Sequence, residues 1–381
     1  PFVLVFSFYF LFKGLRTKKW LDFIIAGLFL GVGLHTYISF RVAPLILIIA
    51  LIALIICQER FLKNYWKHIL AFVLFTFLTA APMLYTFFYS HPEYWTSRTS
   101  SISIFNPEVN QGHFITTFLK TFGLSLVKYT FWGDQNWRHN FPPYPLLDPI
   151  AGIAFLFGII YMITKSFHLF FLRFVKKIRD EKLAIYITLL AWFFVMLIPE
   201  FMGAESNPHA LRAIGTLPVV FIFAGFAFNY LIGLSERKNF KFNHFIAPFV
   251  IVMLIAIGIF NPIKYFAFWA PSPEAAQAFE KTMADIETHI KTIPSNKEIF
   301  VVVGNMQRVP PRFFNWGNPN FHDLHPVEIG SIKPKDNENF TILFTDFYKE
   351  EIMKSINSRF PGMKLQTFTD SFGSSFYVLD K

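Results

Sequence analysis

The sequence predicts an all-α polytopic membrane domain followed by a small extracytoplasmic α/β domain, and three observations lead there. Of 381 residues, 54% are hydrophobic and only 16% are charged, where an ordinary soluble domain has about a quarter charged. The charges gather into short islands separated by apolar runs of roughly 15 to 22 residues, the length on which a helix crosses a bilayer. From about Pro271 the pattern changes to polar helices and strand-like runs, which sets the domain limits at 1–270 and 271–381.

The apolar runs give about eight candidate spans, near 1–13, 21–36, 43–57, 68–89, 148–165, 183–200, 212–233 and 244–262. Basic residues follow every second one. They are Lys13, Arg16, Lys18 and Lys19; Arg60, Lys63 and Lys67; Lys165, Arg173, Lys176, Lys177, Arg179 and Lys182; and Arg237, Lys238 and Lys241. By the positive-inside rule these loops face the cytoplasm. The net charge of +10 is explained there, and no nucleic-acid partner is expected. The opposite face then holds 36–42, 90–147, 201–211 and everything after about 263, as in a multi-pass plasma-membrane protein with its C-terminal domain outside.

Within 90–147, "QGHFITTFLKTFGLSLVKYTFW" has helical apolar spacing and reads as an amphipathic helix lying along the membrane surface. Lys120 and Lys128 argue against a buried span there. Pro1 opens in mid-run with no initiator Met, basic leader or cleavage site, so the chain is expected to be an N-terminally truncated fragment. Cys57 is the sole cysteine, which excludes an internal disulfide.

After Pro271, "EAAQAFEKTMADIETHIKTI" reads as one polar helix, "EIFVVVG" and "FTILFTDF" as buried strands, "KEEIMKSINSRF" as a helix, and "KLQTFTD" with "SSFYVLD" as a closing strand pair. This domain carries no Gly-rich phosphate loop, metal-ligand cluster or nucleophile motif, and is expected to be accessory.

The unusual polar residues fall in four segments assigned to the outer face. "GLHTYISFRVAP" contains His35, Tyr37 and Arg41, with Pro44 suited to a helix first turn. "HPEYWTSRTSSI" contains His91, Glu93 and Arg98. "GDQNWRHNFPPYPLLDP" contains Asp134, Trp137, Arg138, His139 and Asn140, and ends on Asp148, an N-cap before Pro149. "PEFMGAESNPHALRAIGTLP" contains Glu205, His209 and Arg212, and Asn207 is placed to cap a helix that Pro208 begins. Singly, such residues are interface anchors or loop polars. Four segments on one face suggest a cavity for an anionic, hydroxyl-rich ligand at the lipid boundary, because Arg suits phosphate and an Arg set into an apolar helix is costly without an anion.

"AGLFLGVGLHTYISFRVAPLILII", "FWGDQNWRHNFPPYPLLDPIAGIAFLFGI" and "PEFMGAESNPHALRAIGTLPVVFIFAG" resemble segments of PMT/ArnT-like GT-C glycosyltransferases, over roughly residues 20 to 235. The resemblance implies an inverting membrane transferase that takes a sugar from a polyprenyl-phosphate donor, in contact with membrane lipid, to a glycan, lipid or protein acceptor. It also implies an acidic base in the first extracytoplasmic loop, expected upstream of Pro1 and thus missing. Many members carry Lys where this chain has Tyr37, which leaves Arg41 as the substitute. The phosphate candidates are Arg212, Arg98, Arg138 and Arg41. The sugar and acceptor candidates are Asp134, Trp137, His139, Asn140, Glu205, His209 and Tyr37. No cofactor is demanded, and a divalent cation on Glu205 and His209 is the one open candidate. A lipid or solute transporter and a non-catalytic envelope scaffold are the rival readings.

Overall fold

The computed structural model describes residues 1–236, 243–346 and 349–381, with every side chain among them except those of Arg98 and Asn243. The basic run Arg237, Lys238 and Lys241 lies outside the described residues. The chain divides into two compact units, Pro1–Asn261 and Pro262–Lys381.

The first unit is helical: α1 (Phe2–Thr17), α2 (Trp20–Leu34), α3 (Ala43–Cys57), α4 (Phe61–Tyr85), α5 (Glu93–Ile102), α6 (Pro107–Asn110), α7 (Phe114–Val127), α8 (Pro149–Phe174), α9 (Lys182–Phe201), α10 (Leu217–Ser235) and α11 (Asn243–Ile263). With their flanking turns, six helices among the described residues are long and apolar enough to cross a membrane: Ile38–Cys57, Phe61–Ser90, Pro149–Phe174, Lys182–Phe201, Ile214–Ser235 and His244–Trp269. These match six of the eight expected spans. The other two, α1 and α2, have 16 and 15 residues. At about 1.5 Å per residue they fall short of a hydrocarbon core about 30 Å thick.

Local signals explain several boundaries. Asp148 caps α8, its Oδ1 accepting from Ala151 N at 2.9 Å, and Pro149 occupies the first turn. Pro44 opens α3 in the same way. The expected helix in "QGHFITTFLKTFGLSLVKYTFW" is α7, which packs on the end of α9: Thr121 Oγ1 donates to Phe201 O at 2.7 Å, and Phe118 and Phe122 meet the Phe201 ring edge-on. No α-helix starts at Pro208; residues 207–213 are turns, and α10 begins only at Leu217. The amide donors that a new helix would leave open at His209 and Ala210 are taken by the carboxylates of Glu200 and Asp134 instead.

Helix pairs α1–α2, α2–α4, α3–α9 and α8–α10 carry most of the packing of this unit. Small residues bring them close, as membrane helices require in the absence of a strong hydrophobic drive. A Cβ at Gly27 would lie 2.3 Å from Phe72 O, and one at Gly158 would lie 1.9 Å from Phe223 O. Because the obstacle at Gly158 is backbone, Gly158→Ala is expected to push α8 off α10 and cost about 1 to 3 kcal/mol. Gly225→Ala on α10, where a Cβ meets open space, is expected to be neutral. Equilibrium unfolding of both variants in mixed micelles checks this, and equal stability would refute it.

Among its described residues the second unit has five strands, β1 (Glu298–Val302), β2 (Phe321–Leu324), β3 (Phe340–Thr345), β4 (Lys364–Thr369) and β5 (Ser375–Asp380), in the order β2-β1-β3-β5-β4. β1 is parallel to β2 and β3, and β5 is antiparallel to β3 and β4. Helices α12 (Pro273–Ala278), α13 (Lys281–Ile290), α14 (Val309–Phe314) and α15 (Lys349–Arg359) complete it. Alternate strand residues serve opposite faces. Phe300, Val302, Ile342 and Leu379 pack with Ile352 and Ile356 of α15, while Ile299, Val301, Leu343 and Val378 pack with Met283 and Ile286 of α13. Helices on both faces explain why β1 and β3 are continuous apolar runs. The single polar helix expected after Pro271 is two helices, broken where Glu280 takes a left-handed backbone (φ 56°). β2, FHDL, is not among the expected strands; its residues are half-buried, and His322 and Asp323 separate its two apolar ones, so it gives no apolar run.

Glu287 on α13 is buried, and Asn315 Nδ2 donates to both its carboxylate oxygens at 3.0 and 3.2 Å. Burial dominates and raises its pKa from 4.5 to about 7. The group is therefore protonated in the folded unit at pH values where the unfolded chain is ionised. Its stability contribution is complete below about pH 4.5 and is lost as pH rises towards 7. Relative to Glu287→Gln, the wild-type second unit is expected to lose about 1 to 2 kcal/mol over that window. Pulse proteolysis of the full chain in urea measures the difference, and parallel pH profiles would rule it out.

Candidate functional site

The loop before α8 and the turn after α9 meet, and Asp134 joins them. Its side chain is 1% exposed. Oδ1 accepts from Asn136 N at 2.8 Å, and Oδ2 accepts from Ala210 N at 2.7 Å. Oδ2 also lies 2.9 Å from His139 Nδ1. An ionised carboxylate only accepts, so Nδ1 carries the proton of that imidazole. The His139 and His209 rings stand 4.7 Å apart. One ligand atom each from Asp134, His139 and His209 lies within 4.8 Å of the other two. His209 is held neutral, its pKa pushed down to about 4 by burial and then by the positive charge of Arg212.

The loop is rigid for stated reasons. Asn140 Nδ2 donates to Asp134 O at 3.0 Å and Tyr144 O at 2.6 Å. A Cβ at Gly133 would sit 1.9 Å from Tyr144 O, so only glycine fits there. Leu146 N and Leu147 N bond to the carbonyls of Lys128 and Tyr129 at 3.0 and 3.1 Å, holding the far end of the loop against α7. Trp137 and Phe141 form a tilted ring pair 5.5 Å apart.

The turn is tied equally closely. Ala204 N donates to Ile102 O and Ile104 N to Met202 O, forming a short bridge at Ser103 and Gly203. Arg212, 7% exposed, is turned back into its own loop: Nη1 donates to Glu205 O at 2.8 Å and Nη2 to Glu205 Oε2 at 2.7 Å. Glu205 therefore stands with Arg212, and His209 lies with Asp134 and His139 rather than with Glu205, with which the sequence reading paired it.

Beneath the cluster lie two groups that sequence reading did not select. Lys128, directly after α7, and Glu200, in the last turn of α9, form an ion pair with both residues at 0% exposure. Glu200 Oε1 also accepts from His209 N at 2.9 Å. An acid in the last turn of an apolar helix is expensive unless partnered, which was the available signal for Glu200. A cavity of about 390 Å³ opens beside the cluster. Its lining includes Lys128, Arg138 and His139 together with Leu211, Leu217, Val220 and Phe221.

Two sequence candidates lie elsewhere. Arg41 stacks on Trp95 at 4.2 Å and Phe87 at 4.7 Å, and its Nη1 donates to Trp95 O at 2.7 Å. With Tyr37 and His35 it lines a separate opening of about 330 Å³. Leu34 is common to this opening and to a cavity of about 370 Å³ among α1 to α4 whose lining is apolar except for Thr76. The side chain of Arg98 lies outside the described residues.

Fold and site together are compatible with a multi-pass membrane protein, with six helices among the described residues long and apolar enough to cross a membrane, a histidine–carboxylate cluster whose acid is buried and whose histidines are half-buried, and a small α/β unit. No family model, curated protein or solved structure matches the chain.

Proposed function

We propose that this protein is a membrane glycosyltransferase that moves a sugar from a polyprenyl-phosphate donor to an extracytoplasmic acceptor, with the Asp134–His139–His209 region as its polar site. The observation that carries the reading is the mixed lining of the cavity, which combines Arg138 and His139 with Leu217, Val220 and Phe221. A lipid phosphate needs that pairing, cations for the leaving group and apolar surface for the first isoprene units. Fixed cations stabilise the charge that develops on the phosphate as the glycosidic bond breaks, because they are already oriented when it appears. The resemblance in the three quoted segments supports the same reading. Arg212 enters it as a positioning residue, since its guanidinium is committed to Glu205.

The test is transfer of a radiolabelled sugar from a polyprenyl-phosphate donor by the purified full-length protein in proteoliposomes. Turnover is expected, and the double variant Arg138→Ala/His139→Ala is expected to lose most of it while remaining folded. Counterflow of the lipid without transfer would make the protein a transporter. On the proposed sidedness, an impermeant thiol reagent outside the cell labels Gln135→Cys but not Lys176→Cys in a Cys57→Ala background.

A further inference from the structure

We infer that Asp134, His139 and His209 form a binding site for one divalent transition-metal ion of the zinc class. This deepens the proposed function, because the site is the same, but the evidence for it is separate from the transferase chemistry. Three ligands of types that suit such ions, one carboxylate and two imidazoles, come from two chain segments about 70 residues apart and fall within 4.8 Å of one another. Ligands on a tetrahedral ion at about 2.0 to 2.2 Å are roughly 3.4 Å apart, so modest side-chain rotation closes the set. Two imidazoles and one carboxylate favour zinc, cobalt, manganese or iron over magnesium or calcium, which prefer all-oxygen sites.

The surroundings fit as well. Asp134 receives three N–H donors, and a carboxylate offers about four lone-pair sites, so capacity for a cation remains. Those donors fix the carboxylate before any ion arrives. Asn136 N and Ala210 N belong to the two segments that carry His139 and His209, so the hydrogen bonds that orient the acid also set the spacing of the imidazoles. His139 lines the cavity, which leaves a side of the site open to an anionic ligand, as catalytic metal sites require.

The test uses the full chain, purified in micelles, stripped with a chelator and titrated with Co²⁺ and Zn²⁺. One equivalent per chain is expected, with the intense visible d–d bands of low-coordinate Co²⁺, and zinc surviving desalting. Asp134→Asn and His209→Ala are expected to weaken binding by about a hundredfold or more. His209→Cys keeps a ligand at that position, so it is expected to retain the metal and add a thiolate-to-cobalt charge-transfer band, which separates ligation from folding. No stoichiometric binding by folded wild type, or binding unchanged in all three variants, would overturn the inference and leave Asp134–His139 a plain hydrogen bond. Metal binding without sugar transfer by the full-length protein would sink the transferase reading alone. Full transfer by the metal-free chain would sink the metal site's role and leave that reading intact.

Discussion

Glu200→Gln is expected to destabilise the helical unit by about 3 to 5 kcal/mol, among the largest effects of any single substitution in this chain. Lys128 and Glu200 are both at 0% exposure and pair with each other. Glutamine keeps the shape and an oxygen for His209 N, so what it removes is the negative charge alone. The ammonium of Lys128 is then left in a buried site beside Tyr129, whose ring centre is 4.9 Å from Nζ, without its ion-pair partner. Leaving one buried charge unmatched costs far more than the pair itself contributes, because desolvation of both ions nearly offsets their attraction. The double variant Lys128→Met/Glu200→Gln is therefore expected to recover most of the loss. Equilibrium unfolding of the two single variants and the double variant gives the coupling energy directly. A Glu200→Gln protein within about 1 kcal/mol of wild type would mean that the pair is not buried as described.

Much of the architecture was legible because it is written locally. Apolar length, Asp148 before Pro149 and Pro44 at a helix start each depend on residues a few positions apart, and each gives the element expected of it. α1 and α2 were read as spans on apolar character, while their 16 and 15 residues are short for one. The candidate site was legible only in part. Asp134, His139 and His209 were all selected, but as separate loop polars; what joins them is a hydrogen bond from Ala210 N to Asp134, 76 residues apart in sequence. The same limit hid Lys128, whose partner is 72 residues away. Its charge argued for a water-facing helix surface, and in the structure that charge is neutralised inside the protein. Arg212 was given a ligand because an arginine in an apolar helix needs an anion. The anion is Glu205 of its own loop. Composition states that a buried charge must be matched, and only the fold states by what.

Asp134→Ala and Asp134→Asn are expected to separate the two things this residue does. In the alanine variant three donors, Asn136 N, His139 Nδ1 and Ala210 N, lose their acceptor together. Each hydrogen bond to a charged group contributes about 1.5 to 3 kcal/mol, and buried donors left unmatched add a desolvation cost. The turn at 203–213 then loses its hydrogen bond to the loop at 133–147, and hydrogen exchange at Ala210 and at neighbouring amides is expected to accelerate by at least about a hundredfold, equivalent to about 2.7 kcal/mol. Asparagine keeps one carbonyl oxygen at nearly the same place, so much of the protection should survive. It cannot carry the negative charge that orients His139 through Nδ1, and its amide N–H₂ presents donors where Oδ2 accepted two. On the proposed transferase reading, Asp134→Asn is thus expected to lower sugar transfer by about 10² to 10³, the size of losing one preorganised electrostatic contact at a reacting centre, with exchange protection changed far less than in the alanine variant. Exchange and transfer that fall in parallel in both variants would assign Asp134 to loop architecture alone, and a transfer rate unchanged in Asp134→Asn would remove the cluster from the chemistry.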